Sequence, residues 1–259
     1  MISAVGVTKK FGDNIAVENL NLEVKSGEIF GFLGPNGAGK TTTISMLIGM
    51  LVPTSGRIEI DGIDVVKDPT RAKALIGYVP DQPNMYEKLT AMEFLMFVSS
   101  LYGIEPDKAR KKANNLLEMF GLSDRANELL GGFSHGMKQK VVMSSALVHD
   151  PKVVFMDEPT VGLDPRSAKM VKDILKGLAD HGVTVFLTTH ILEIAERMCD
   201  RVGIIQKGRL LAVGTMEELR HQTEIQTGDS NTEAKSLEDL FLELTGGSEY
   251  DEVSRFLED

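Results

Sequence analysis

Apolar and polar positions alternate along the first stretch of the chain. Ile2-Ser3-Ala4-Val5-Gly6-Val7 and Leu20-Asn21-Leu22-Glu23-Val24 follow a period of two, so each run turns one face toward a core. Lys25-Ser26-Gly27-Glu28 supplies a turn, and residues 29–33 then read as a short buried strand. A glycine-rich loop follows, and residues 41–50 predict a helix. Arg57-Ile58-Glu59-Ile60 predicts a further strand, closed by the Asp61-Gly62 turn.

The period then changes. Residues 91–101, 107–120 and 137–148 carry helical spacing with few strand signals, which predicts a helical insert. Glu105-Pro106-Asp107 marks a helix start, since proline suits the first turn, where its missing N–H costs nothing. Strand character returns at residues 153–156 and again over 183–189. Two final strands, 202–206 and 210–213, turn at Lys207-Gly208. Residues 223–235 are polar and lack a period, so they predict a linker. Residues 236–244 predict a short amphipathic helix, with Leu237, Leu240, Phe241 and Leu244 on one face. Residues 249–259 form an acidic end.

Composition narrows the classes. The chain has 259 residues, 42% hydrophobic and 25% charged, the proportions of an ordinary globular protein with a full core. A net charge of −10 argues against a nucleic-acid binder, which usually presents a basic face. The single cysteine, Cys199, excludes an internal disulfide and fits a reducing compartment. Residues 1–13 hold no apolar stretch of signal-peptide length. The longest nearly apolar run, residues 44–52, is half of what a membrane span needs, so any membrane role requires a partner.

Three segments carry chemistry. Gly34-Pro35-Asn36-Gly37-Ala38-Gly39-Lys40-Thr41-Thr42 fits the phosphate-loop pattern in full, between a predicted strand and a predicted helix. Glycines there let successive backbone N–H groups turn inward around a phosphate. Lys40 sets a point charge against the β and γ oxygens, and the Thr41 hydroxyl is a hard ligand suited to Mg²⁺. The helix that follows points its positive end at the anion. These features predict an ATP–Mg²⁺ site. Asp157 and Glu158 end an apolar run; a parallel sheet delivers such residues to its ligand crevice. In that position Asp157 holds Mg²⁺ through water and Glu158 polarises the attacking water. His190 closes the strand over 183–189, within reach of a γ-phosphate or that water.

The ordered set of motifs resembles the ATPase subunits of ABC transporters over about residues 2–220. It runs from Phe11 through the phosphate loop to Phe133-Ser134-His135-Gly136-Met137. It continues with Met156-Asp157-Glu158-Pro159-Thr160, Gly162-Leu163-Asp164-Pro165 and Thr188-Thr189-His190. The resemblance implies a P-loop α/β core with a mostly parallel sheet, an N-terminal antiparallel β region and a helical subdomain. It divides the chain into an ATPase domain over 1–222, a linker over 223–235, and a helix with an acidic tail over 236–259. Within that domain, 1–83 and 150–222 form the catalytic core and about 84–149 the helical subdomain.

Roles follow from the same resemblance. Phe11 matches the aromatic that stacks on adenine, with Val17 beneath the base or ribose; the bland alternative for Phe11 is a core position. Thr42 meets the α-phosphate, Glu158 is the catalytic base, and His190 is the switch histidine at the γ-phosphate. Asp164 meets a second subunit. Ser134 and Gly136 face the ATP held by that subunit, and Ser134 also caps the helix behind it. Two motifs depart from the family pattern. The usual Leu-Ser-Gly-Gly-Gln signature stands here as Phe133-Ser134-His135-Gly136-Met137. The loop position usually filled by glutamine falls on Asp81, with Gln82 next, and either oxygen could approach Mg²⁺.

The implied function is ATP hydrolysis by two such subunits, coupled to transport through a separate membrane permease at the cytoplasmic face of the cell membrane. The signature segment and the late helix resemble the branch that exports drugs, lipids and polysaccharides. The alternatives are a soluble ABC ATPase acting on a non-transport partner, and a nucleotide-binding regulator without turnover. No Asn-Lys-x-Asp guanine motif occurs, which speaks against a GTPase.

Overall fold

A computed structural model describes residues 1–160, 164–227 and 236–245. The opening alternation forms β1 (Ile2–Phe11) and β2 (Asn14–Val24), an antiparallel pair. β4 (Ser55–Ile60) pairs with the other side of β1, and β5 (Ile63–Asp64) pairs with β4. Among the described residues these four make one antiparallel sheet. The alternation breaks at Asn19, whose φ is +48°. On either side of it Val17 and Leu20 are both buried, three positions apart, so the strand's faces switch there.

The second sheet takes β3 (Ile29–Leu33), β6 (Ile76–Val79), β7 (Val153–Asp157), β8 (Thr184–Thr189), β9 (Arg201–Gln206) and β10 (Arg209–Gly214). Its order is β10-β9-β3-β8-β7-β6, parallel throughout except at the β9–β10 hairpin. Every residue of β3, β7 and β8 is buried, which explains why they read as short apolar runs rather than alternations.

α1 (Lys40–Leu47) follows β3 directly. The predicted helical insert forms α3 (Ala91–Leu101), α4 (Pro106–Met119) and α5 (His135–Leu147). Each has a legible start. Thr90 and Glu93 exchange the two hydrogen bonds of a capping box at α3. Glu105 accepts from the backbone N–H groups of Asp107 and Lys108 at α4, with Pro106 in the first turn. Ser134 accepts from the Met137 N–H at α5. The end of α5 lies hard against β6: a Cβ on Gly77 would stand 2.4 Å from the Ala146 carbonyl oxygen.

Elements with no counterpart in the sequence reading include β5, α2 (Pro69–Ala74), β6, α6 (Pro165–Asp180) and α7 (Leu192–Met198). The segment expected as a linker is helical where it is described. α8 (Met216–Thr227) continues through the first five residues assigned to it, and residues 228–235 lie outside the described residues. The late helix is present as α9 (Leu237–Thr245). Leu237 and Leu240 are fully buried in a cluster with Leu33, Ala195, Val202 and Leu219. Burial of such a side chain contributes about 1.5–3 kcal/mol before the cost of ordering it. The acidic end over 249–259 lies outside the described residues. Among those residues no helix is long and apolar enough to cross a membrane.

Candidate nucleotide and catalytic site

The C-terminal ends of the parallel strands open into a cleft of about 620 Å³. β3 delivers the glycine loop to it. The loop is tight: a Cβ on Gly34 would stand 2.3 Å from the Ile205 carbonyl oxygen, and one on Gly39 2.7 Å from that of Ala16. Gly37 and Gly39 also sit at φ +76° and +110°, where a side chain is disfavoured. The Lys40 ammonium folds back over the loop, donating to the carbonyls of Gly34 at 2.7 Å and Pro35 at 3.2 Å. The Ala38 N–H also donates to Pro35. Lys40 is only 8% exposed, so its charge acts in a place poor in water. Asn36, Gly37, Gly39, Lys40, Thr41 and Thr42 line the cleft.

β7 brings the carboxylates to the same cleft. Asp157 is 5% exposed and accepts from the Thr41 hydroxyl at 3.2 Å. Its other oxygen accepts from the Thr188 hydroxyl at 2.5 Å. Glu158 sits at φ +51°, a strained conformation for a residue with a side chain. The neighbouring strand holds it there, since the Glu158 N–H donates to both the carbonyl and the hydroxyl of Thr188 at 3.2 Å. Its carboxylate lies 4.0 Å from Lys40 Nζ and 3.0 Å from His190 Nδ1. The His190 backbone N–H donates to the second Glu158 oxygen at 3.3 Å. His190 therefore meets the site through Glu158, with its ring about half exposed.

Thr41, Asp157 and Asp81 place hard oxygens on the walls of one cleft. No three His, Cys, Asp or Glu side chains among the described residues form a closed metal cage. The donor set suits a hard divalent cation that shares its shell with phosphate oxygens and water. Burial raises the Tyr78 phenol to about 12, with the charges of Asp157 and Asp81 adding to the effect. Of the two residues left open at this loop, Asp81 lines the cleft. Gln82 is exposed and is not among the lining residues.

Phe11 lies at the far wall, half exposed, with Lys9 Nζ 5.1 Å from its ring centre; it is not a core residue. Val17 departs from expectation. It is fully buried in the core of the N-terminal sheet, and Ile15 and Ala16 line the cleft in its place.

Ser134, Gly136 and Asp164 do not line this cleft. Ser134 is exposed at the start of α5, with Gly136 in its first turn. Asp164 is exposed at the start of α6. There the side-chain and backbone hydrogen bonds of Ser167 hold its carboxyl below the usual range. Gly162 and Leu163 lie outside the described residues.

Sequence reasoning missed Asn14, Ile15, Ala16 and Lys207 as lining residues, and gave Thr188 no role. Thr188 had one available signal: a hydroxyl residue inside an apolar strand, which here falls in register with Asp157.

The profile of the family described as ABC transporter matches residues 17–161. The linearmycin resistance ATP-binding protein LnrL of Bacillus subtilis (strain 168) is 42% identical over 219 residues, covering 85% of this chain and 70% of that protein. A solved ATP-binding subunit of an ABC transporter superposes with a TM-score of 0.87 at 32% identity. The match covers 94% of this chain and 99% of that one. The ATP-binding cassette MJ0796, solved as a dimer in a post-hydrolysis state with ADP and Pi, gives a TM-score of 0.77 at 29% identity. It covers 83% of this chain and 98% of that one. Fold, site and family match agree: the chain belongs to the ABC transporter family, among its ATP-binding and ATP-hydrolysing subunits.

Proposed function

We propose that this chain powers export through a separate integral-membrane permease, pairing with a second ATPase subunit around two ATP molecules. One observation carries the reading. Lys40, Thr41, Asp157 and Glu158 converge in one cleft, while Ser134 and Asp164 are exposed and do not line it. A chain built this way holds half of a shared site and offers the other half to a partner. The dimeric state of the MJ0796 cassette supports the pairing.

In this reading Phe11 stacks on adenine, and the backbone of Gly34, Pro35, Asn36, Gly37, Ala38 and Gly39 wraps the phosphates. Thr42 meets the α-phosphate. Lys40 offsets charge on the transferred phosphoryl group, Glu158 orients the attacking water, and His190 holds Glu158 in place. Thr41, with Asp157 and Asp81 behind it, would hold Mg²⁺, which supplies further neutralisation of phosphate charge. Ser134 and Gly136 present a helix start to the partner's γ-phosphate. Residues 1–83 and 150–222 act as the catalytic core, and about 84–149 as the helical subdomain that meets the permease. The chain then sits in the cytoplasm against the inner face of the membrane.

Export is favoured by the relative that confers resistance, since removing a toxic compound from the cell is a direct route to resistance. Phosphate release by wild type and by Glu158→Gln tests the chemistry: the variant should retain ATP binding and lose about 100-fold or more in rate. Equal rates would remove Glu158 as the base. Co-purification with a membrane protein tests the coupling. Recovery with ribosomes or DNA instead would overturn it.

A further inference from the structure

The β9–β10 turn places a second cation at the nucleotide cleft, and the assigned chemistry does not use it. Lys207 and Gly208 form a two-residue hairpin loop with φ of +47° and +78°. This is the geometry that favours Asn-Gly or Gly-Gly, because a larger side chain carries a steric cost there. Lysine occupies it all the same. Its side chain is exposed, it lines the cleft, and no carboxylate among the described residues pairs with it.

The turn is anchored to both halves of the nucleotide cradle. The Gly208 N–H donates to the Ala38 carbonyl at 2.9 Å, within the phosphate loop. The Glu18 N–H donates to the Gly208 carbonyl at 2.8 Å, and Arg209 Nε donates to the Glu18 carboxylate at 2.8 Å. A Cβ on Gly208 would stand 2.8 Å from the Ala16 carbonyl oxygen. The turn therefore has little freedom to move away.

Sheet order says which end of a nucleotide it meets. β9 runs parallel to β3 on one side; β8 and β7, which carry His190, Asp157 and Glu158, lie on the other. Lys207 thus flanks the phosphate loop on the side away from the hydrolytic carboxylates and toward Asn14 and Ala16. We infer that Lys207 is a nucleotide-binding residue that draws its charge toward the α-phosphate and sugar. This inference rests on the nucleotide reading of the cleft.

The test is calorimetric titration of ATP and ADP into wild type, Lys207→Asn, Lys207→Arg and Lys40→Ala at low and high salt. Asparagine suits the turn, so the fold survives the loss of charge. Lys207→Asn should weaken both nucleotides equally, by about 3- to 10-fold, with the gap shrinking as salt rises. Lys207→Arg should bind within about twofold of wild type, because it keeps the cation. Unchanged binding in Lys207→Asn, or a loss confined to ATP, would overturn the inference. If wild type binds ATP and only Lys40→Ala loses it, this inference fails alone; if wild type binds none, the reading of the cleft fails with it.

Discussion

Thr188 and Asp157 face each other in register on adjacent parallel strands, joined by a 2.5 Å hydrogen bond from hydroxyl to carboxylate. The same hydroxyl accepts from the Glu158 N–H, so one buried threonine sets both acidic residues. Thr188→Val keeps the shape and removes the bonds. It should cost about 1–3 kcal/mol of stability, the penalty for leaving a buried polar group unpaired. ATPase turnover should fall while nucleotide affinity changes less, because the carboxylates and not the phosphate loop lose their support. Urea unfolding and steady-state kinetics check the two effects separately.

Lys138 on α5 donates to Glu87 at 2.5 Å. The backbone ties the same places together: the Gly131 N–H donates to the Glu87 carbonyl and the Leu130 N–H to that of Leu89. The loop following Asp81 is thus fastened to the segment that presents Ser134. A double-mutant cycle with Glu87→Gln and Lys138→Met should give a coupling of about 0.5–1 kcal/mol in unfolding free energy. A coupling near zero would mean that the backbone bonds alone hold the two segments.

His149 supplies a pH effect. Its Nε2 lies 2.9 Å from the Ile76 carbonyl, which only accepts, so the neutral ring carries its proton there. Nδ1 is buried with no partner among the described residues, under a stacked Tyr102 ring. Burial lowers its pKa from the ordinary 6.5; Lys112 lowers it further, while the Ile76 bond and Asp150 oppose the shift. Between the lowered value and 6.5 the unfolded chain binds the extra proton. Stability is therefore greatest above pH 6.5, declines as pH falls through that window, and levels off below it. Urea midpoints between pH 7.5 and 5.0 should show this decline in wild type and a flatter profile in His149→Gln, which keeps a donor for Ile76.

Much of this was legible in the sequence because local chemistry announced it. The phosphate loop, the helix starts at Glu105 and Ser134, and the apolar runs of β3 and β7 each bring their own signal. What escaped notice depended on neighbours. β6 is four residues long with a glycine inside, too short for a period to show. The family resemblance alone places Val17 beside the nucleotide, whereas its burial is set by how β2 packs into the core of the N-terminal sheet. Lys207 reaches the cleft only because β9 sits beside β3, a pairing that no local pattern encodes.

The exposure of Ser134, outside the cleft of its own chain, has a genetic consequence. Two copies of this chain that pair would form two sites, each drawing Lys40 from one copy and Ser134 from the other. A copy disabled at Lys40 and a copy disabled at Ser134 would each be inactive when paired with itself. Expressed together, they would rebuild one working site out of two, and a cell carrying both defects on separate copies would recover activity that neither defect alone allows.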